Sequence, residues 1–185
     1  MGQLVHFVHQ SLDGFIEGPD GEFDWPEMGP ELSAYSQTLS DTADAFLYGR
    51  VVWEMMSGFW PRAEELSTHE HDLAFAPVWR DKPKVVVSST LGEADWNTRV
   101  IGEDVAGRIA ALKESGTNLV LFGGAGLAAT LTAHGLVDEY RIVVHPVVLG
   151  GGKPAFEEPK ERLGLALVES RVFDSRSVLL RYRRA

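Results

Sequence analysis

The sequence contains no cysteine among its 185 residues. Disulfide bonds, thiolate metal ligands and cysteine nucleophiles are therefore excluded together. It also lacks a long apolar run, since no stretch reaches the roughly 18 residues that a membrane-spanning helix needs. The first residues, Met1 to His6, show neither the basic region nor the apolar region of a signal peptide. We therefore expect a cytoplasmic protein with no membrane partner.

Positive charge is scarce as well. The chain has 17 Lys and Arg residues against 27 Asp and Glu residues, a formal net charge of −10. Nucleic acid and anionic lipid would be repelled by such a surface, so neither is expected as the main partner. One pocket can still be locally positive, and a small anionic ligand remains compatible with the charge.

The residues that are present are typical of a folded domain. Hydrophobic residues make up 44% of the chain and charged residues 24%, and the length suits one domain with its own core. No internal repeat, low-complexity tract or Gly/Ser linker divides the sequence. We therefore predict a single domain over residues 1–185.

Apolar, β-branched segments alternate with segments of helical periodicity. A long loop is expected between Pro19 and Pro30, little regular structure between Trp60 and Pro83, and a hairpin at Asp174-Ser175-Arg176. The pattern predicts an α/β fold with a mixed, mainly parallel sheet, helices on both faces and an antiparallel C-terminal edge. The predicted strands are 4–9, 45–48, 84–88, 97–101, 118–122, 139–145, 165–173 and 178–184, and the predicted helices are 31–41, 50–57, 103–114 and 127–134.

Three predicted strand ends carry residues suited to a phosphate: Gly49-Arg50, Ser88-Ser89-Thr90 and Gly123-Gly124-Ala125-Gly126. Ligands of open α/β sheets bind beyond the carboxyl ends of parallel strands. The glycines permit close approach of the backbone, the next helix N-terminus attracts anions, and the guanidinium and hydroxyls can bind a phosphorylated ribose. Each feature also has an ordinary explanation, namely a tight turn, a surface arginine or a capping hydroxyl.

The order of the motifs resembles that of dihydrofolate reductase-like proteins. The closest resemblance is to the C-terminal reductase domain of the bifunctional riboflavin-biosynthesis deaminase-reductase and to its stand-alone relatives. It spans almost the whole chain, and the block from Asp138 to Pro154 is its most specific part. The motifs are Ser11 to Ile16, Gly49-Arg50, Val85 to Thr90, Phe122 to Gly126 and Val137 to Pro154.

The resemblance implies a three-layer α/β/α reductase that uses NADPH. Its substrate would be a small pteridine-, pyrimidinone- or flavin-related heterocycle, as in 5-amino-6-(5-phosphoribosylamino)uracil reductase and dihydrofolate reductase. It also implies a homodimer formed with the help of Asp138 to Pro154. The alternative is a nucleotide- or pterin-binding module of the same fold without turnover.

The resemblance also implies where the cofactor would lie. Gly49-Arg50 and Ser88-Ser89 would approach the adenosine phosphate, Gly123 to Leu127 would wrap the pyrophosphate, and the backbone of Val8 and His9 would face the carboxamide. Val52 stands where many dihydrofolate reductases have a threonine, so one hydroxyl contact is missing. The cofactor-binding candidates are Val8, His9, Ile16, Gly49, Arg50, Val51, Val52, Ser88, Ser89, Thr90, Phe122, Gly123, Gly124, Ala125, Gly126 and Leu127.

The substrate side is less defined. Asp24 and Glu31 are the nearest candidates for a catalytic carboxyl group, and Asp13, Trp25 and Glu54 are candidates for substrate binding. A carboxyl group here can bind the ring, or relay a proton if burial raises its pKa. Each of these acids also has an ordinary explanation as a solvated loop or first-turn acid, and tryptophan more often packs than binds. The six histidines are scattered, so no metal site is predicted.

Overall fold

The computed structural model describes residues 1–157 and 162–185. No helix in these ranges is long and apolar enough to cross a membrane. A short 3₁₀ turn, Trp60–Arg62, follows the second helix. The strands are β1 (Leu4–Gln10), β2 (Phe15–Glu17), β3 (Ala45–Gly49), β4 (Lys84–Val87), β5 (Thr98–Ile101), β6 (Leu119–Phe122), β7 (Glu139–Val144), β8 (Lys153–Pro154), β9 (Leu165–Phe173) and β10 (Ser177–Arg184), and the helices are α1 (Pro30–Thr42), α2 (Arg50–Phe59), α3 (Ala63–Leu66), α4 (Glu70–Asp81), α5 (Val105–Glu114) and α6 (Ala125–Ala133).

Eight strands form one sheet in the order β5-β4-β3-β6-β1-β7-β10-β9. The strands from β5 to β7 pair in parallel. Strand β10 runs antiparallel to both β7 and β9, and the hairpin between β9 and β10 closes at Asp174 to Arg176. The mixed, mainly parallel sheet with an antiparallel edge is therefore confirmed.

Both faces of the central strands are covered, which explains their continuous apolar sequences. Phe46 faces the cluster that contains Phe7 and Trp79. The next residue along β3, Leu47, faces the opposite cluster with Leu4. Helices α1, α2 and α4 supply side chains to the first cluster, and α5 and α6 supply them to the second. The domain therefore has three layers.

The expectation of little regular structure between Trp60 and Pro83 was wrong. Helix α4 occupies 70–81, with Pro77 inside it. His71, Phe75 and Trp79 recur every four residues on its buried face, so packing against the sheet offsets the hydrogen bond that Pro77 removes. In the sequence, Pro77 disfavours a helix, so the four-residue spacing of these buried side chains did not lead to a predicted helix.

Two smaller differences concern the loops near the candidate site. Helix α6 begins at Ala125, two residues earlier than predicted, so the preceding turn consists of Gly123 and Gly124 alone. Strands β2 and β8 form a separate two-stranded sheet that the sequence did not indicate. This pair fastens the segment after β1 to the segment after β7.

Candidate active site

The carboxyl ends of β4, β3, β6 and β1 lie side by side, because these strands are parallel neighbours in the sheet. The structure thereby brings together Gly49-Arg50, Ser88 to Thr90 and Gly123 to Gly126, as the sequence predicted for the strand ends. Gly49 and Leu127 show how close they are, since a Cβ atom on Gly49 would lie 3.9 Å from the Cβ of Leu127. The candidate site is this edge of the sheet.

The turn between β6 and α6 presents backbone rather than side chains. Gly123 and Gly124 have φ angles of 57° and 71°, in the left-handed region that favours glycine. Gly124 is the N-cap residue, and no side chain caps the helix, so the helix dipole and the first N–H groups are available to an anion. Phe122 and Ala125 are buried, and a Cβ atom on either Gly123 or Gly124 would lie 3.8 Å from Val52 Cγ2.

A gap opens between β1 and β6 beyond this turn. Leu119 N donates to Gln3 O, and Gly123 N donates to Phe7 O at 3.0 Å. In a parallel sheet, every second residue of a strand directs its backbone N–H and C=O groups toward the same neighbouring strand. After Phe7, the next residue of β1 whose backbone faces β6 is therefore His9. Among the described residues no backbone bond from His9 to β6 follows. The His9 N–H and C=O groups are thus available there, whereas Val8 faces β7.

Arg50 is the first residue of α2 and lies at the β3 end of the site. Its Nη1 donates to both carboxylate oxygens of Glu54, at 2.8 and 2.9 Å. The side chains are 44% and 48% exposed, respectively, so the guanidinium remains accessible. Glu54 therefore lies with Arg50, two strands away from β1 in the sheet. Val51 beside them is also exposed.

The three hydroxyls at the β4 end have different environments. Ser88 is buried, and its Oγ accepts hydrogen bonds from the N–H groups of Thr90 and Leu91. Ser88 therefore caps its own turn, which was the ordinary explanation for this motif. Ser89 and Thr90 are exposed and are the hydroxyls that an approaching ligand would meet first.

Asp13 fastens two loops together. Its carboxylate accepts hydrogen bonds from the Ser11 hydroxyl and from the backbone N–H groups of Leu149 and Gly150. These bonds, with that of Ser11 foremost, lower the pKa of Asp13. Ile16 lies in β2, which pairs with β8 in the same region. Asp13 is thus engaged by the protein's own backbone.

Neither candidate catalytic acid has a hydrogen bond to the strand ends in the described part of the chain. The Glu31 carboxylate accepts a hydrogen bond from Asp174 N. Asp174 in turn caps α1 by accepting from the N–H groups of Glu31 and Leu32, at 2.9 and 3.2 Å. Glu31 is therefore committed to this reciprocal cap between α1 and the β9–β10 hairpin, and Asp24 is exposed on its loop.

A pair of histidines stands at the ends of β1 and β7. His9 Nδ1 lies 2.8 Å from His145 Nε2, and the Trp25 ring packs edge-on against His145 with the centroids 5.7 Å apart. Burial lowers the pKa of His9 to about 3 and that of His145 to about 4. Sequence reasoning missed His145, although a histidine at the end of each of two apolar strands was the available signal.

One further acid lies close to the glycine turn. A Cβ atom on Gly126 would be 3.2 Å from Glu157 Oε1. The Glu157 carboxylate therefore stands beside the first turn of α6, where the helix dipole favours a negative charge. No part of the sequence pattern indicated this contact.

Comparison of the sequence with protein families identifies one match over most of the chain. The sequence model described as the RibD C-terminal domain matches residues 3–179. The protein YyaP of Bacillus subtilis (strain 168) is 37% identical over 176 residues, which cover 93% of this chain and 89% of YyaP.

Solved structures share the fold. A Shewanella sp. PV-4 protein named for riboflavin biosynthesis superposes with a TM-score of 0.78 at 23% identity and covers 99% of each chain. A dihydrofolate reductase from Enterococcus faecalis, in complex with NADP(H), superposes with a TM-score of 0.65 at 15% identity, with 99% of this chain and 96% of that chain covered. At these identities the likeness is one of fold.

Proposed function

The chain belongs to the RibD C-terminal domain family, and on this premise we propose that it is an NADPH-dependent reductase of a small heterocyclic substrate. The family and the fold indicate an oxidoreductase. The cofactor, the substrate class and turnover are the finer parts of the proposal. We further propose that the protein is located in the cytoplasm, whose reducing conditions suit a chain without cysteine.

The observation that carries the proposal is the gap beyond the hydrogen bond from Gly123 N to Phe7 O. On one side lies the His9 backbone, with an N–H donor and a C=O acceptor suited to a carboxamide. On the other side lies the uncapped N-terminus of α6 behind two left-handed glycines, suited to a pyrophosphate. A nicotinamide dinucleotide has both groups, with the nicotinamide ring and a ribose between them.

The remaining candidates extend the site toward an adenosine phosphate. Arg50 can leave Glu54 for a 2′-phosphate, because an exposed ion pair of this kind contributes little. Ser89 and Thr90 offer hydroxyls at the neighbouring strand end. The overall charge of −10 makes this local arrangement the more important, since it supplies the attraction that the surface as a whole lacks.

When bound, NADPH would supply the hydride, and the protein would hold the nicotinamide against the acceptor and exclude water. The loop from Ser11 to Ile16, fastened through Asp13, would flank that reaction centre.

Trp25 is proposed as a substrate contact, because its ring packs against His145 at the end of β7, next to the end of β1. Because the Glu31 carboxylate accepts a hydrogen bond in the cap of α1, the exposed Asp24 is the more accessible of the two proposed catalytic acids.

We also propose a homodimer, with the exposed face of β9 as its centre. Leu167 and Val172 are 57% and 60% exposed. They are five residues apart, but the bulge at Arg181/Tyr182 restores their register so that both share one face of the sheet. An uncovered apolar edge strand favours association. The segment Asp138 to Pro154 forms β7 and contacts the loop of Asp13, and it stays a proposed contributor to the dimer.

The test is binding and oxidation of NADPH. We expect the protein to bind NADPH more tightly than NADH in fluorescence titrations. We also expect it to oxidise NADPH, measured as a decrease in NADPH absorbance, with at least one acceptor in a panel of pteridines, pyrimidinones and flavins. Binding without turnover on every acceptor would favour the non-catalytic module. Absence of binding to either dinucleotide would overturn the proposal.

A further inference from the structure

The ends of β1 and β7 hold an interaction that the cofactor contacts do not use. His9 Nδ1 and His145 Nε2 are 2.8 Å apart, so one of the two nitrogens carries a proton and donates it to the other. That leaves the other ring nitrogen of His145. His145 is only 1% exposed, and its Nδ1 has no hydrogen-bond partner within residues 1–157 and 162–185.

The backbone that carries His145 is firmly held. His145 N donates to Gln10 O at 2.8 Å, and Val147 N donates to His145 O at 2.8 Å. His9 itself lies in β1, paired with Val143 of β7. The two imidazoles therefore stand on a fixed platform, and His145 Nδ1 cannot readily turn away to find a partner.

Trp25 covers this platform with a second unpartnered group. Its ring lies edge-on to His145, and its Nε1 is also buried without a partner in the described part of the chain. Residues 23–27 make no backbone hydrogen bond within the described ranges. They are attached through the packing of Trp25 on His145 and through the exposed ion pair between Glu27 and Arg176, while Phe23 packs on Trp25 within the segment. The cover is thus more loosely attached than the platform.

The two unpartnered groups are chemically complementary to an amide. The indole Nε1–H can only donate. His145 Nδ1 accepts when its Nε2–H donates to His9. Both rings are neutral near pH 7, because burial lowers their pKa values, and the charges of His145 and His71 lower that of His9 further, as does the charge of Arg176 for His145. An amide offers the matching C=O acceptor and N–H donor side by side. Buried polar groups normally have partners, so the unused pair indicates a ligand.

We propose that Trp25 is a lid over the His9–His145 pair, and that Trp25 Nε1 and His145 Nδ1 form a two-point binding site for an amide group. The amide can be the lactam edge of a flat heterocycle or a primary carboxamide. The site uses the tautomer in which His145 Nε2–H donates to His9 Nδ1, and His9 acts as a positioning residue by accepting that hydrogen bond. The inference rests on the proposed function in placing this ligand at the reductase site.

The test uses the protein without NADPH, labelled with ¹⁵N in histidine and tryptophan. Uracil probes the lactam and nicotinamide probes the carboxamide. The controls are 1,3-dimethyluracil, which keeps the shape without an N–H, and nicotinic acid. We expect uracil or nicotinamide, but neither control, to shift both the His145 Nδ1 and the Trp25 indole resonances in NMR spectra. If neither amide shifts both resonances, the proposal is overturned.

Three variants make the assignment specific. His145→Gln keeps a polar group near the Nε2 position for His9 but loses Nδ1. Trp25→Phe keeps an aromatic ring but loses the N–H. Each variant should lower the affinity for the amide that shifts the wild-type resonances at least tenfold. The matched control His134→Gln changes an exposed histidine beyond α6 and should stay within twofold. Thermal unfolding checks each fold, and Trp25→Phe keeps the test open if His145→Gln does not fold. Unchanged affinity in either folded variant would contradict the site.

The outcomes separate this inference from the proposed function. Binding and oxidation of NADPH with no response to the amide probes would overturn the amide site and leave the reductase standing. Amide binding without any NADPH binding would retain the site and overturn the reductase.

Discussion

The Asp13 carboxylate accepts a hydrogen bond from Gly150 N at 2.8 Å and joins the loop after β1 to the loop after β7. The same carboxylate also accepts from Leu149 N and from the Ser11 hydroxyl. Both loops border the candidate site, so this one side chain sets the shape of its rim.

Asp13→Asn should lower the free energy of unfolding at pH 7. The folded-state pKa of Asp13 lies below its ordinary value of 3.8, so its contribution is full above that value and is lost as the pH falls through the folded-state pKa. Urea unfolding at several pH values should therefore show a difference between wild type and variant that shrinks in acid. Asp24→Asn, on an exposed loop residue, is the control. A difference that persists at acid pH would contradict the role of the charge.

Arg50→Ala should weaken NADPH by about tenfold and NADH much less, because a charge-assisted contact to the 2′-phosphate is lost. This loss is at the low end for such contacts, since the Arg50 side chain is 44% exposed. Glu54→Gln should tighten NADPH by releasing Arg50. Fluorescence titration of both dinucleotides measures these changes, with Arg108→Ala on α5 as the control. Equal weakening of NADPH and NADH would exclude Arg50 from the 2′-phosphate.

Gly124→Ala should weaken NADPH at least tenfold and lower the free energy of unfolding by about 1–2 kcal/mol. The φ of 71° is unfavourable for any residue with a Cβ, and relaxing it would turn the N–H groups of α6 away. Gly58→Ala, within α2 with open space around its Cβ position, should bind normally and be more stable by about 0.5–1 kcal/mol. Normal NADPH affinity in folded Gly124→Ala would argue against the glycine turn as a phosphate site.

Glu157→Gln should strengthen NADPH binding several-fold. The carboxylate lies beside Gly126 in the first turn of α6 without capping the helix, and it would repel a pyrophosphate there. The gain should diminish as salt is raised, because the repulsion is screened. Titrations at low and high ionic strength provide the measurement, and Glu114→Gln on α5 is the control. A gain independent of salt would point to a cause other than charge.

Leu167→Lys combined with Val172→Lys should convert the dimer to a monomer. Two charges would replace apolar side chains on the same face of β9. Light scattering after size-exclusion chromatography gives the mass, and Leu73→Lys, an exposed leucine on α4, should leave it unchanged. A wild-type protein that is already monomeric at micromolar concentration would refute the dimer itself.

Much of the fold was predictable because its signals are local. The apolar strand at Leu119–Phe122 and the hairpin at Asp174 to Arg176 depend on neighbouring residues, and strand β9 has the predicted ends. Helix α4 was not predictable in this way, because Pro77 disfavours a helix locally and only packing of Trp79 against the sheet outweighs it.

The candidate site divides similarly. Glycine turns are visible in sequence, and parallel strands necessarily bring their carboxyl ends to one edge, so Gly49, Ser88 and Gly123 could be grouped in advance. The use of each side chain could not be predicted. Glu31 bonds to the hairpin residue Asp174, which is 143 positions away in the chain.

The sequence by itself determined the class of fold, the strand ends that carry glycine and hydroxyl groups, and the exclusion of cysteine chemistry, since periodicity and composition suffice for these. Only the tertiary structure decided which polar groups remain available. It committed Asp13, Ser88 and Glu31 to loops and caps, and it left His145 Nδ1 and Trp25 Nε1 together without partners in the described residues. The reason is that hydrogen-bond satisfaction depends on neighbours distant in the chain, which no local pattern specifies.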